Sequence, residues 1–312
     1  MAFTLIVIQK PALALKNHAP LNNANTFTIQ QSQLSLEFSD SVSNHQKSLI
    51  MNWIRNSAMV VKNYYGQFPV KKYRLQLITH NGSGVSTGTA YGGEEPLIEV
   101  HIGNDFTEQE LKNDWILIHE MIHLAMPELP RRHHWFLEGQ AVYIESIARI
   151  QAGQLTEDVV WKSFIKSMPQ GLPKKGDKGL DYTPTWGRKY WGGALYCLLA
   201  DIEIRKRTNN RLGLQHVMRA ILNEEYSINR HADIVEILKA GDEAIGLDVL
   251  NSMYQKMRAT PAQTDLAALW QSLGVSIING KVSYNKDAPL SNIRAGIFKR
   301  ISSTYEPSAH SR

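Results

Sequence analysis

Residues 115–123 read Trp115-Ile116-Leu117-Ile118-His119-Glu120-Met121-Ile122-His123, an apolar helical run carrying two histidines and a carboxylate. A run this apolar belongs inside a folded chain, and polar groups taken inside need partners. On an α-helix, residues four apart lie about 40° apart around the axis, so both imidazoles face one way and can share one ion. Glu120 sits beside them, placed to contact a water at that ion without ligating it. The same spacing also arises by coincidence on a helix face, so the residues that follow it carry the rest of the reading.

A catalytic zinc takes three protein ligands and keeps a fourth position open. Pro127 and Pro130 end the first helix and turn the chain. The next helical stretch, Trp135-Phe136-Leu137-Glu138-Gly139-Gln140-Ala141-Val142-Tyr143-Ile144-Glu145, can then pack back against it. Glu138 lies on an otherwise apolar face and needs a partner, and a cation is an obvious one. The ligand set is thus His119, His123 and Glu138 around one Zn2+, the bland alternative being a surface Glu beside a helix-start glycine. His133 and His134 are rival ligands, set aside because both fit the basic turn after Pro130. Metzincin spacing would need a histidine at position 129, which is Leu129. Glu145, two turns beyond Glu138, can accept the outer ring N–H of a ligand histidine, or stand as a solvated charge.

The order of patterns is a mixed α/β segment followed by a helical half. Residues 26–38 alternate as a strand, and residues 44–65 form an amphipathic helix with Gly66 as its C-cap. Strands follow at 73–78 and 97–102, separated by a glycine-rich loop over 81–93. Helices fall near 107–126, 134–152, 156–167, 187–208, 213–224, 232–240, 244–257 and 264–272. Thr107 and Glu110 form a capping box for the first of these. Residues 170–186 are a long irregular connection of the kind that is functional or mobile. The resulting division is an N-terminal segment at 1–25, an α/β lobe at 26–106, a helical lobe at 107–275 and a tail at 276–312.

Composition narrows the classes. The 312 residues are 43% hydrophobic with a formal charge of +5. The basic residues are scattered, without interleaved aromatics, so nucleic acid is not an expected partner. No stretch reaches the ~18 apolar residues a membrane span needs. The single cysteine, Cys197, excludes an internal disulfide. The apolar run at 3–8, with Ala12-Leu13-Ala14 after it, reads either as a signal peptide whose start lies upstream or as a first strand. Export to the periplasm is favoured over a cytoplasmic location on that ground; the sequence is silent on oligomeric state.

The two motifs together resemble the gluzincin clan, in which the third zinc ligand is a Glu on the helix after HExxH. Residues 135–145 resemble the WxxEGxAxYxE motif of the M1 and M61 aminopeptidase families. Tyr190-Trp191-Gly192-Gly193-Ala194-Leu195 and the stretch 198–208 resemble the YxKGxL…LLLDxxIRxxT segment of the M61 glycyl aminopeptidases. Residues 214–220 resemble that family's SLDDVMRA helix. The similarity runs from about 88 to 275. It departs at Gly192, which replaces the YxKG lysine; the large N-terminal β-domain of these families is missing or reduced to some thirty residues here, and no C-terminal PDZ-like module is visible. The exopeptidase motif GxMEN has only a partial counterpart in Gly92-Gly93-Glu94-Glu95-Pro96.

The resemblance implies an α+β, thermolysin-like catalytic domain, with an edge strand near 97–102 facing the substrate and the HExxH helix beneath it. It implies peptide or protein substrates cleaved by zinc-activated water, with Glu120 moving the proton and Tyr190 stabilising the oxyanion. Glu95 would hold a free peptide N-terminus in an aminopeptidase. The alternatives are a gluzincin endopeptidase and an inactive peptide-binding homologue; the presence of Glu120 and all three ligands argues against the second.

Overall fold

The computed structural model describes residues 25–39 and 42–300. The proposed signal or strand run at 3–8 and the last dozen residues lie outside them. Strands β1 (Asn25–Ile29) and β2 (Ser32–Phe38) lead into α1 (Asn44–Tyr65), β3 (Lys72–His80), β4 (Val85–Tyr91) and β5 (Leu97–Gly103). Then come α2 (Glu108–Asn113), α3 (Ile116–His123), α4 (His134–Gln151), α5 (Glu157–Ser167), α6 (Gly193–Arg207), α7 (Leu214–Asn223) and α8 (Ile234–Ile245). The chain continues through α9 (Leu250–Met257), α10 (Leu266–Leu273), β6 (Val275–Ile278), β7 (Lys281–Tyr284) and α11 (Ser291–Ile297).

The first five strands form one mixed sheet in the order β1-β2-β3-β5-β4, parallel at β2/β3 and β3/β5 and antiparallel at both outer pairs. Leu36, Leu75 and Ile98 stand in register across it, as do Leu77 and Val100, and all are buried in one core with Ile50, Ile54 and Val61 of α1. The opposite face is polar. Glu37, almost fully buried, accepts hydrogen bonds from Arg74 and Gln76, each at 2.8 Å. The architecture is α+β, as the sequence implies.

Four expectations change. The strand at 26–38 is a hairpin, because Gln30 and Gln31 adopt φ of 51° and 70° and reverse the chain. No glycine or asparagine marks that turn, so alternation alone reads through it. The helix expected at 107–126 is two helices, broken where Asp114 turns its carboxylate onto the Ile116 and Leu117 amides, both at 3.0 Å. The stretch placed in a tail from 276 onward holds most of a hairpin that starts at Val275 and a helix at 291–297, with Ile293 and Ile297 in the core.

The fourth correction concerns the edge. The strand at 97–102 is internal, flanked by β3 and β4, and the edge on that side of the sheet is β4, with β1 at the other. The sequence hides β4 because its residues are at most half-buried and include Gly88, so no hydrophobic alternation develops. Gly88 is required there. A Cβ at that position would lie 2.7 Å from Glu120 Cγ and from Ile116 Cγ2, so its absence lets β4 lie directly on α3.

Candidate metal centre

Helix α3 is buried on nearly all sides: Ile116, Leu117, Ile118, Met121 and Ile122 are all in the core. Its first turn is held by Asp114, which also accepts the Trp53 indole N–H at 3.1 Å. Burial lifts the Asp114 pKa to about 6, against the pull of those donated hydrogen bonds. Asp114 has no place among the sequence candidates, although an Asp two residues before a helix is a recognisable capping signal.

The α3 histidines face Glu138 on α4. His119 Nε2 lies 3.3 Å from Glu138 Oε2, and His123 Nε2 lies 3.6 Å from the same oxygen. One ligand atom from each of the three residues falls within 4.8 Å of the others, the one such group of three or more among the described residues. Burial works to raise the Glu138 pKa, but hydrogen bonds from His119 and His123 outweigh it and hold the carboxyl well below the usual range. Burial works to lower His123, and Glu138 and Glu120 together raise it. Two imidazole nitrogens and a carboxylate oxygen that can converge on one point are a donor set suited to Zn2+.

Glu120 is buried beside this group, next to the backbone of Ala90 on β4; desolvation raises its pKa, opposed by the two histidines. Tyr190 comes from the turn before α6, a π-helical segment at Arg188–Gly192. Its phenol is directed at Glu138, and burial, then the Glu138 and Glu120 charges, push its pKa far up. Trp186 stacks on the Tyr190 ring with centroids 5.5 Å apart. Such single π turns are frequent at functional sites.

The remaining sequence candidates fall elsewhere. His133 is fully buried and paired with Asp181 at 3.1 Å, where Asp181 also accepts from Trp135 Nε1 and the Tyr254 hydroxyl, each at 2.8 Å. This network pins the irregular 170–186 segment, whose Leu180 and Asp181 amides bond to Met257 and Arg258 carbonyls. His134, one turn before Glu138, lies within electrostatic reach of it but outside the group of three. Glu145 does not serve the histidines. Its carboxylate takes Arg149 at 2.8 Å and Ser146 at 3.2 Å, and His119 Nδ1 is buried without a hydrogen-bond partner. Glu145 lies seven residues beyond Glu138 on α4, and an arginine one turn further on claims it. Glu95 is exposed in the turn between β4 and β5.

No family model and no curated protein matches this chain. Among solved structures, it is similar to an aminopeptidase N family protein from Idiomarina loihiensis, with a TM-score of 0.58 at 14% identity, over 86% of this chain and 53% of that one. It is also similar to an M1 zinc metallopeptidase from Deinococcus radiodurans, with a TM-score of 0.50 at 13% identity, over 79% and 53% of the two chains. The chain has a gluzincin aminopeptidase-like fold. It spans about half the length of these neighbours. Both carry aminopeptidase N or M1 names, so the M61 likeness remains one of sequence motifs on this gluzincin fold. Among the described residues of that fold, no helix is long and apolar enough to cross a membrane.

Proposed function

We propose that the protein is a zinc-dependent peptidase, with His119, His123 and Glu138 as the metal ligands and Glu120 as the general base. The observation that carries this reading is the convergence of those three ligand atoms within 4.8 Å, beside a buried carboxylate that is not one of them. When bound, a zinc ion with three protein ligands supplies Lewis acidity at its open position and makes water there acidic near neutral pH.

Glu120 is the proton carrier. It accepts the proton of the attacking water and returns it to the leaving amine, and burial suits it to this role by raising its pKa toward the working range. Tyr190 stays protonated, because its surroundings disfavour phenolate, and so can donate its O–H to the oxygen on which charge develops. Edge strand β4, held against α3 by the Gly88 contact, offers backbone groups along which an extended peptide can align.

The names of the structural neighbours favour an aminopeptidase. A second reading, cleavage within the chain, is favoured by β4 itself: Val85–Tyr91 carries no carboxylate to hold a free amino terminus, and Glu95 lies exposed beyond its end. The deciding experiment combines zinc analysis with cleavage of a peptide library, with and without N-terminal acetylation. Zinc at one per chain with hydrolysis abolished in Glu120→Gln is the expected result. A protein that binds no zinc and cleaves no peptide would overturn the proposal.

A further inference from the structure

A glycine inside a strand weakens it, because glycine loses the most backbone freedom on folding and brings no side chain to pack. Gly88 nevertheless stands in the middle of β4, paired with Val100 of β5. Its backbone is not in the left-handed region, so a residue with a side chain could adopt the same conformation. The need for glycine at this position therefore comes from what lies against it.

A Cβ on Gly88 would lie 2.7 Å from Glu120 Cγ, 3.2 Å from Glu120 Cδ and 2.7 Å from Ile116 Cγ2. Carbon atoms settle at about 3.5–4.0 Å from one another, so a methyl group there has no room. Neither neighbour has free space to retreat into, since Ile116 and Glu120 are both buried. The register of β4 on β5 shifts between Val85 and Thr87, immediately before the contact, and such bulges bend a strand and re-aim it. The main chain of β4 is thus laid on the side chain of Glu120. None of the three metal ligands is among the atoms nearest to Gly88.

We propose that Gly88 is a positioning residue for the general base: the β4 main chain lies on the Cγ–Cδ bond of Glu120 and holds its carboxylate in one orientation. This rests on the peptidase reading above and extends it. The strand whose edge aligns the peptide also aligns the group that moves the proton, so one segment sets both. A side chain at position 88 displaces the carboxylate and leaves the ligand set in place. Misplacing a reacting group by about 1 Å costs a rate of order a hundredfold.

The test uses the zinc-loaded protein, a peptide that the parent cleaves, and the nitrophenyl ester of the same acyl group. In Gly88→Ala, zinc should stay at one per chain, and KM for the peptide should change by less than about threefold. The peptide kcat should fall about tenfold to a hundredfold. The ester kcat should fall less, because nitrophenolate leaves without a proton whereas the leaving amine must receive one from Glu120. If Gly88→Ala does not fold, Ile116→Ala serves as the background. It removes Cγ2, makes room for the methyl on that side and leaves the contact with Glu120, so the double variant is compared with Ile116→Ala alone. A peptide kcat within about twofold of the reference protein refutes the proposal. Equal losses on peptide and ester, or a loss of zinc, refute it as well, because the glycine then serves the fold of the site rather than the base. A parent protein with neither zinc nor cleavage overturns the peptidase proposal itself. An active, zinc-loaded parent with any of the refuting results overturns only the role of Gly88.

Discussion

Gly139 on α4 and Gly193 at the start of α6 meet backbone to backbone: a Cβ built on Gly139 would lie 2.2 Å from Gly193 Cα. A Cβ on Gly193 would lie 2.0 Å from the Trp135 carbonyl oxygen. The contact sits one residue after Glu138 and three after Tyr190, so it fixes how closely ligand and phenol approach. Gly193→Ala should cost roughly 1–3 kcal/mol or more, since backbone cannot yield as a flexible side chain can. It should also lower kcat. Urea unfolding and peptide hydrolysis on the same preparation check both, and wild-type stability and turnover would show that the contact is not needed.

Glu138→Ala should lose zinc affinity by orders of magnitude, because it removes one of three ligands. His134→Ala should keep full zinc. His133→Ala should also keep zinc but lose about 1–3 kcal/mol of stability, since it leaves Asp181 short of a buried partner. Metal analysis and thermal denaturation of the three variants distinguish ligand from scaffold. Zinc loss in His134→Ala with retention in Glu138→Ala would reverse the assignment.

Glu120→Gln keeps the size and shape of the side chain but cannot accept a proton. It should retain zinc and fold while kcat drops by about 3–5 orders of magnitude. Single-turnover hydrolysis near the wild-type rate would be incompatible with the proposed base.

Glu95→Ala separates the two peptidase readings. If Glu95 anchors free amino termini, the variant raises KM for unblocked peptides and leaves zinc alone. Its exposed position predicts the opposite: KM changes by less than about twofold, and acetylated peptides are cleaved as readily as free ones. Steady-state kinetics on paired free and acetylated peptides give the answer.

His216 gives the fold a pH dependence. Its Nδ1 accepts the Gly213 amide at 3.1 Å and so must be unprotonated, and burial, with Arg205 and Arg219 nearby, lowers its pKa to about 4. The unfolded chain takes up a proton near pH 6.5 that the folded chain refuses until about pH 4, so this group's contribution to stability declines as pH falls through that window. Thermal midpoints measured from pH 7 to 4 should fall less steeply in His216→Gln than in the parent protein.

Elements whose signals are local could be read from the chain without its fold. Helix α1 follows from its apolar period, its Ser43–Gln46 capping box and the left-handed Gly66, and each of these sits within a few residues of the feature it sets. His119, Glu120 and His123 are equally local, because helical spacing alone puts two imidazoles on one face. The motif pattern carried the reading as far as Glu138 and Tyr190. Everything that depends on which elements touch was settled by packing. The edge strand is β4 rather than β5 because Gly88 lets β4 lie on α3, a contact across about thirty residues that no strand periodicity records. Glu145 pairs with Arg149 rather than with a histidine, and His133 serves Asp181 forty-eight residues away. Periodicity sets the direction a side chain takes from its own element; the partner it meets depends on packing between elements far apart in the chain.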